Sequence, residues 1–224
     1  MDTITIVLIV VIVILVFFLI RTKSSSASST VTKATVLNLN NSNSAIASTS
    51  SFITNSSSTR FSYESWICVN TWNNTVTKDI YYANTSSTDP IVKLSLAASS
   101  PTLTCTIKTA TSTYTPIVVT KNFPIQKWVY VVISVDNTVV DCYLDGKLLT
   151  SQQLPNVAYV TDAYGINFGV FDAYLTGFVR NAFPLDPQTV WTKYMSGNGV
   201  STSGSSYGVT AAITKDGSSY STLF

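Results

Sequence analysis

Histidine is absent from the 224-residue chain, glutamate occurs once, at Glu64, and cysteine three times, at Cys68, Cys105 and Cys142. Those counts bound the chemistry before any element is placed. A Ser-His-Asp or Cys-His nucleophile has no imidazole to serve as its base. A histidine-ligated zinc site is excluded for the same reason, and three widely spaced cysteines make a poor substitute. No phosphate-cradling Gly-rich loop is present, and Gly197-Asn198-Gly199 reads as a turn. Net charge is +2 with the Lys and Arg scattered singly, so no nucleic-acid footprint is visible. Glu64 reads as a solvated strand residue, and the three thiols as apolar groups within strands.

The elements that would position any site centre on residues 122–150. Val129, Val131, Ile133 and Val135 alternate with Tyr130, Val132 and Ser134, the period that sends one row into a core. Asp136-Asn137 is expected to turn, since both types tolerate positive φ. Val140, Cys142 and Leu144 then alternate with Asp141, Tyr143 and Asp145. Asp145-Gly146 makes a second turn before Lys147-Leu148-Leu149, and Asp-Gly between alternating runs is a strong hairpin signal. An antiparallel meander follows. Ser, Thr and Asn are abundant and charged residues are only 11%, a palette of strands and turns and not of surface helices.

Trp128, the VVISVD run and the turn Tyr143-Leu144-Asp145-Gly146-Lys147 resemble the laminin-G-like jelly rolls of the concanavalin A-like superfamily. Residues 60–72, RFSYESWICVNTW, resemble that family's early strand with a core tryptophan. Residues 165–197 resemble its closing strands and short terminal helix. The resemblance covers roughly residues 31–200 and implies an all-β, two-sheet antiparallel sandwich. Trp66, Trp128, Tyr143 and Gly146 are then its core anchors, with both indoles expected to be buried. The superfamily includes glycoside hydrolases, which need two positioned carboxylates. A chain with Glu64 alone and no Glu-x-Asp-x-x-Glu pattern is expected to be no enzyme. Relatives of the fold bind glycans or calcium through Asp and Asn at the sandwich rim. The corresponding candidates are Asp136, Asn137, Asp162, Asn167 and Asp172, with Tyr164 and Tyr174 as stacking aromatics. No two form a tight acidic cluster, so turn formation is the leading reading of all five and calcium a secondary one.

In chain order, residues 4–20, bounded by Ile4 and Ile20, form an apolar run broken only by Thr5. As a helix it spans roughly 25 Å, enough to cross a bilayer. Asp2 and the lack of Lys or Arg before it argue against a cleaved signal. Arg21, Lys23 and Lys33 place the large domain on the cytoplasmic side. There the sequons headed by Asn40, Asn55, Asn73 and Asn84 stay unmodified. Residues 1–23 are thus an expected transmembrane anchor, 24–35 a Ser/Thr-rich stalk, 36–197 the sandwich and 198–224 a tail. Further short strands are expected at 80–83, 91–97, 103–108 and 116–119, and the strand after Gly177 reads as shorter than usual. Asp186, Pro187 and Gly197 bracket a helix ending near Met195.

In the tail, Tyr207, Val209, Ile213, Tyr220 and Phe224 fall in alternating rows around Asp216-Gly217. A terminal hairpin, or strands lent to a neighbour, would use that pattern. Anchor, stalk, sandwich and adhesive tail together resemble membrane-anchored minor capsid proteins of large DNA viruses with an internal membrane. The expected function is a structural link between bilayer and protein layer, its partners the bilayer and neighbouring subunits. The alternative is a glycan-binding adhesin.

Overall fold

The computed structural model describes residues 28–30, 36–40, 56–84, 88–161, 165–199, 212–215 and 218–222. The apolar run of residues 4–20 lies outside them. Among the described residues no helix is long and apolar enough to cross a membrane. The strands are β1 (Ser28–Thr30), β2 (Leu37–Asn38), β3 (Arg60–Val69), β4 (Lys78–Ala83), β5 (Val92–Leu96), β6 (Leu103–Lys108) and β7 (Tyr114–Thr120). They continue with β8 (Val129–Asp136), β9 (Val139–Leu144), β10 (Lys147–Gln153), β11 (Ile166–Phe168) and β12 (Ala173–Asn181). One helix, α1 (Pro187–Met195), precedes the hairpin of β13 (Ala212–Lys215) and β14 (Ser218–Thr222).

Two antiparallel sheets face each other. One runs β1-β12-β3-β8-β9-β10, with β2 also paired to β12, and the other runs β11-β4-β5-β6-β7. Their inner rows interdigitate: Phe61, Tyr63, Ile67 and Val69 from β3 and Val129, Val131, Ile133 and Val135 from β8 meet Ile80, Leu94, Cys105 and Ile117. The expected all-β sandwich with one short helix is what forms. Ser28–Thr30, inside the segment expected as stalk, pairs with residues 179–181 of β12.

The meander carries one correction. Asp136 stays in β8, paired with Val139, so the two-residue turn is Asn137-Thr138, with Asn137 at φ 58°. The second turn forms as expected: Asp145 (φ 48°) and Gly146 (φ 78°) both adopt positive φ, the signature of a type I′ hairpin. The strand through Gly177 is also not short, since β12 runs nine residues.

The helix sets what lies on the outer face of the larger sheet. Asp186 caps it, accepting from Thr189 N at 3.0 Å, and Pro187 opens it at no cost in hydrogen bonds. Ser196 and then Gly197 (φ 75°) close it. Val190 is buried against Tyr130, Val132, Tyr143 and Leu185, a second small core outside the sandwich. Consequently β8 is buried on both faces along nearly its whole length. Gly146 lies so close beneath the helix that a Cβ there would sit 2.8 Å from the Trp191 ring.

Candidate functional site

On β3 the even-numbered row, Ser62, Glu64, Trp66 and Cys68, points away from the inter-sheet core and toward α1. Glu64 is therefore not solvated. It is 4% exposed, because the helix crosses over it. Its Oε2 accepts from the Tyr130 hydroxyl, and its Oε1 accepts from Asn181 Nδ2 at 3.2 Å and pairs with Lys193 Nζ. Burial, reinforced by the Glu64 charge, pushes the Tyr130 phenol up, so it remains a proton donor to the carboxylate. The lysine comes from the last turn of α1 and is partly in solvent.

Beside this cluster lies a cleft of about 320 Å³, lined by Glu64, Trp66, Tyr130, Gly177, Lys193 and the loop of residues 196–199. A β-bulge shapes its floor. Thr176 pairs with Trp66 and Val179 with Glu64, so Gly177 and Phe178 together oppose Ser65, and Gly177 takes φ 58°. Trp66 is half-buried, stacked on Tyr194 at 5.7 Å and tilted against Tyr130 at 5.1 Å. It is thus a wall of the cleft and not the buried core anchor expected. Trp128 is likewise half-buried, and it belongs to neither core cluster, because it precedes β8 instead of facing inward from it. Tyr143 and Gly146 are buried.

The expected rim residues do not converge. Asp136 and Asn137 lie at the Arg60 end of β3, where Asp136 is paired with Arg60 Nε at 2.8 Å. Asp172 lies at the opposite end, accepting from Asn70 at 3.0 Å and Thr71 at 2.7 Å, bonds that pull its carboxyl down. The two ends are roughly 30 Å apart along a ten-residue strand. Asn167 is in β11 on the other sheet, donating to the Asn84 carbonyl. Tyr174 sits half-buried opposite Asn38 on β12. Asp162 and Tyr164 lie outside the described residues. Among those described, no three His, Cys, Asp or Glu side chains are grouped to hold a metal ion.

Cys105 and Cys142 are buried and Cys68 half-buried, all three free. Burial raises the Cys105 thiol well above its usual value and the Cys142 thiol to about 12, which leaves neither poised as a nucleophile. Sequence reasoning missed the Glu64–Tyr130–Asn181–Lys193 cluster. The available signal was parity: Glu64 and Tyr130 share the outer rows of paired strands, and a capped helix follows them.

Two packed antiparallel sheets with a helix docked outside define the class: a lectin-like β-sandwich. Residues 39–201 match the laminin-G-like family described as the concanavalin A-like lectin/glucanases superfamily, and the chain belongs to that family. A search of curated proteins gives no match. Among solved structures, the binding domain of botulinum neurotoxin serotype G is similar, with a TM-score of 0.55 at 15% identity over 78% of this chain and 47% of that one. The binding domain of botulinum neurotoxin DC is similar in complex with rat synaptotagmin II (TM-score 0.54, 14% identity, 78% and 48%). It is also similar in complex with SialylT (TM-score 0.55, 14% identity, 78% and 47%). The chain thus matches less than half the length of these structures, and what they share with it is the fold.

Proposed function

We propose that the chain is a non-enzymatic recognition protein, a laminin-G-like head that takes a sugar ring in the Trp66 cleft and is tethered to a bilayer by residues 4–20. The observation that carries the reading is Trp66 itself. A partly buried indole braced by Tyr130 and Tyr194 offers a rigid apolar face to the cleft, with Lys193 beside it to meet hydroxyls. Among the described residues Glu64 is the one carboxylate lining the cleft, and both its oxygens are engaged, so no second carboxylate described there could serve with it as the acid–base pair of glycoside cleavage. The solved relative in complex with SialylT is in keeping with this use of the fold.

The test is a glycan-array screen of the full chain, followed by titration of the strongest hits against wild type and Trp66→Ala. Binding lost in Trp66→Ala, with the far-ultraviolet spectrum unchanged, supports the cleft. No saturable binding to any glycan, or binding indifferent to Trp66, refutes it.

One observation favours a second reading, a structural link between membrane and protein layer such as a minor capsid component. The β13–β14 hairpin forms a two-stranded sheet of its own. Isolated hairpins are marginal in water, and a partner's sheet edge would stabilise this one. Ile213 and Tyr220 lie on its strands, while Tyr207, Val209 and Phe224 fall outside the described residues. Deleting residues 201–224 separates the readings: glycan binding survives under the first, and incorporation into the assembly is lost under the second. Orientation separates them too. By the positive-inside rule the Arg21, Lys23 and Lys33 flank favours the second reading, with the head on the cytoplasmic side, whereas an endoglycosidase-sensitive mass shift at Asn55 or Asn73 would support the sugar-binding reading.

A further inference from the structure

A second cleft, of about 230 Å³, opens at the other end of α1. Ser134, Asp136, Val139, Asp141, Tyr143 and residues 184–187 line it. Ser134 donates to the Leu185 carbonyl at 3.1 Å and accepts from Leu185 N at 2.9 Å, which fastens the entry to the helix over β8 and β9. Three carboxylates face this space, and two are already engaged. Asp136 is held by Arg60, and the oxygens of Asp186 take the Thr189 amide and hydroxyl. The Asp141 carboxylate has no hydrogen bond or ion pair among the described residues.

A second, independent feature points to an occupant. Among the described residues the Tyr143 hydroxyl has no hydrogen-bond partner, and the residue is only 1% exposed. Tyr143 lines the cleft together with Asp141 and Asp186, and burial, then the charges of those two carboxylates, push its phenol to about 12. A buried hydroxyl without a partner is rare and unfavourable, and is most simply completed by a ligand group. The positive end of α1 is offset by its own cap, Asp186. An anion would meet three carboxylates here, and a neutral ring would leave Asp141 uncompensated.

We propose that this cleft binds the guanidinium of an arginine side chain presented by a protein partner, with Asp141 and the Tyr143 hydroxyl as its acceptors. A guanidinium carries five donors in a rigid plane and can reach two separated acceptors at once. It is also more weakly hydrated than an ammonium, so it enters a partly closed space at lower desolvation cost. Val139, Pro184 and Pro187 give the walls an apolar character that suits the methylene stem. The chain's own Arg60, on Asp136 at the rim, shows the same pairing made internally.

The experiment titrates the full-length chain in neutral detergent with acetyl-Gly-Arg-Gly-amide, its lysine analogue and glucosamine, read by saturation-transfer NMR. Expected is saturable binding of the arginine peptide, several-fold weaker binding of the lysine peptide, and roughly a tenfold loss in Asp141→Asn. Tyr143→Phe should weaken binding severalfold while the melting temperature holds or rises, since only an unpartnered hydroxyl is removed. Trp66→Ala should leave arginine binding unchanged, which keeps this site distinct from the proposed sugar cleft. Absence of saturable binding to about 10 mM, or equal binding by wild type and both variants, overturns the proposal. Preferential binding of glucosamine with the same dependence on Asp141 and Tyr143 overturns it too, in favour of an amino sugar.

Discussion

Removing the lysine from the Glu64 cluster tests whether α1 is pinned to the sheet electrostatically. Glu64 is 4% exposed at its side chain and Lys193 38%, so the pair is buried on one side only. Breaking a fully buried pair costs about 3–5 kcal/mol. Here water can reach the lysine, and Tyr130 and Asn181 still serve the carboxylate, so Lys193→Met should cost only about 1–2 kcal/mol. Glu64→Ala should cost more, about 3–4 kcal/mol, because it strands the Tyr130 hydroxyl and the Asn181 amide as well. The double variant then yields a coupling of about 1 kcal/mol. Urea unfolding of the four proteins at neutral pH, followed by tryptophan fluorescence, measures it, with Trp66 and Trp191 both reporting on the helix contact. Zero coupling, with Lys193→Met as stable as wild type, would falsify the pinning and leave Tyr130 and Asn181 as the sole partners of the carboxylate.

Gly146→Ala should destabilise by about 1–3 kcal/mol, since it combines positive φ with a Cβ driven into Trp191; an unchanged melting temperature would refute the close docking of α1 on that turn. Asp186→Ala should cost about 1 kcal/mol of stability as a lost N-cap, seen as a lower urea midpoint. Hydrogen bonds from Thr189 hold the Asp186 carboxyl below its usual value of 3.8, so its contribution is full above about pH 4 and falls away as pH drops through the folded value. Stability profiles of wild type and Asp186→Ala should therefore converge in acid, and parallel curves would count against the cap. Of the three thiols, Cys68 alone should react with a thiol reagent under native conditions, while Cys105 and Cys142 wait for unfolding.

The meander was readable from the sequence because its signals are local. Alternation in residues 129–135 and the Asp145-Gly146 pair decide strand and turn with no help from distant contacts. The limits of α1 were equally local, set by Asp186, Pro187 and Gly197. Glu64 and Trp66 were not readable in this way. Their row looks outward, and whether outward means solvent depends on where a helix more than 120 positions later in the chain comes to rest. The β12 bulge that shapes the Trp66 cleft was hidden for a related reason, since a bulge is a relation between two strands. The described Asp and Asn of the rim do not converge, since likeness in type and surface position says nothing about which end of a strand each residue occupies.

The pairing of β12 has a consequence for biosynthesis. This strand lies between β3 on one side and β1 and β2 on the other, joining Ser28 to Asn181 and Leu37 to Leu175. Strands made first must therefore wait for one of the last before the larger sheet can close. While the chain is emerging, β3 can already pair with β8, but its other edge, from Ser62 to Val69, stays unpaired until β12 has left the ribosome. An open edge of that length invites pairing with another nascent copy. Truncations that end before residue 173 should thus aggregate instead of forming a smaller sandwich, and folding yield in the cell should depend on whatever shields that edge during the interval.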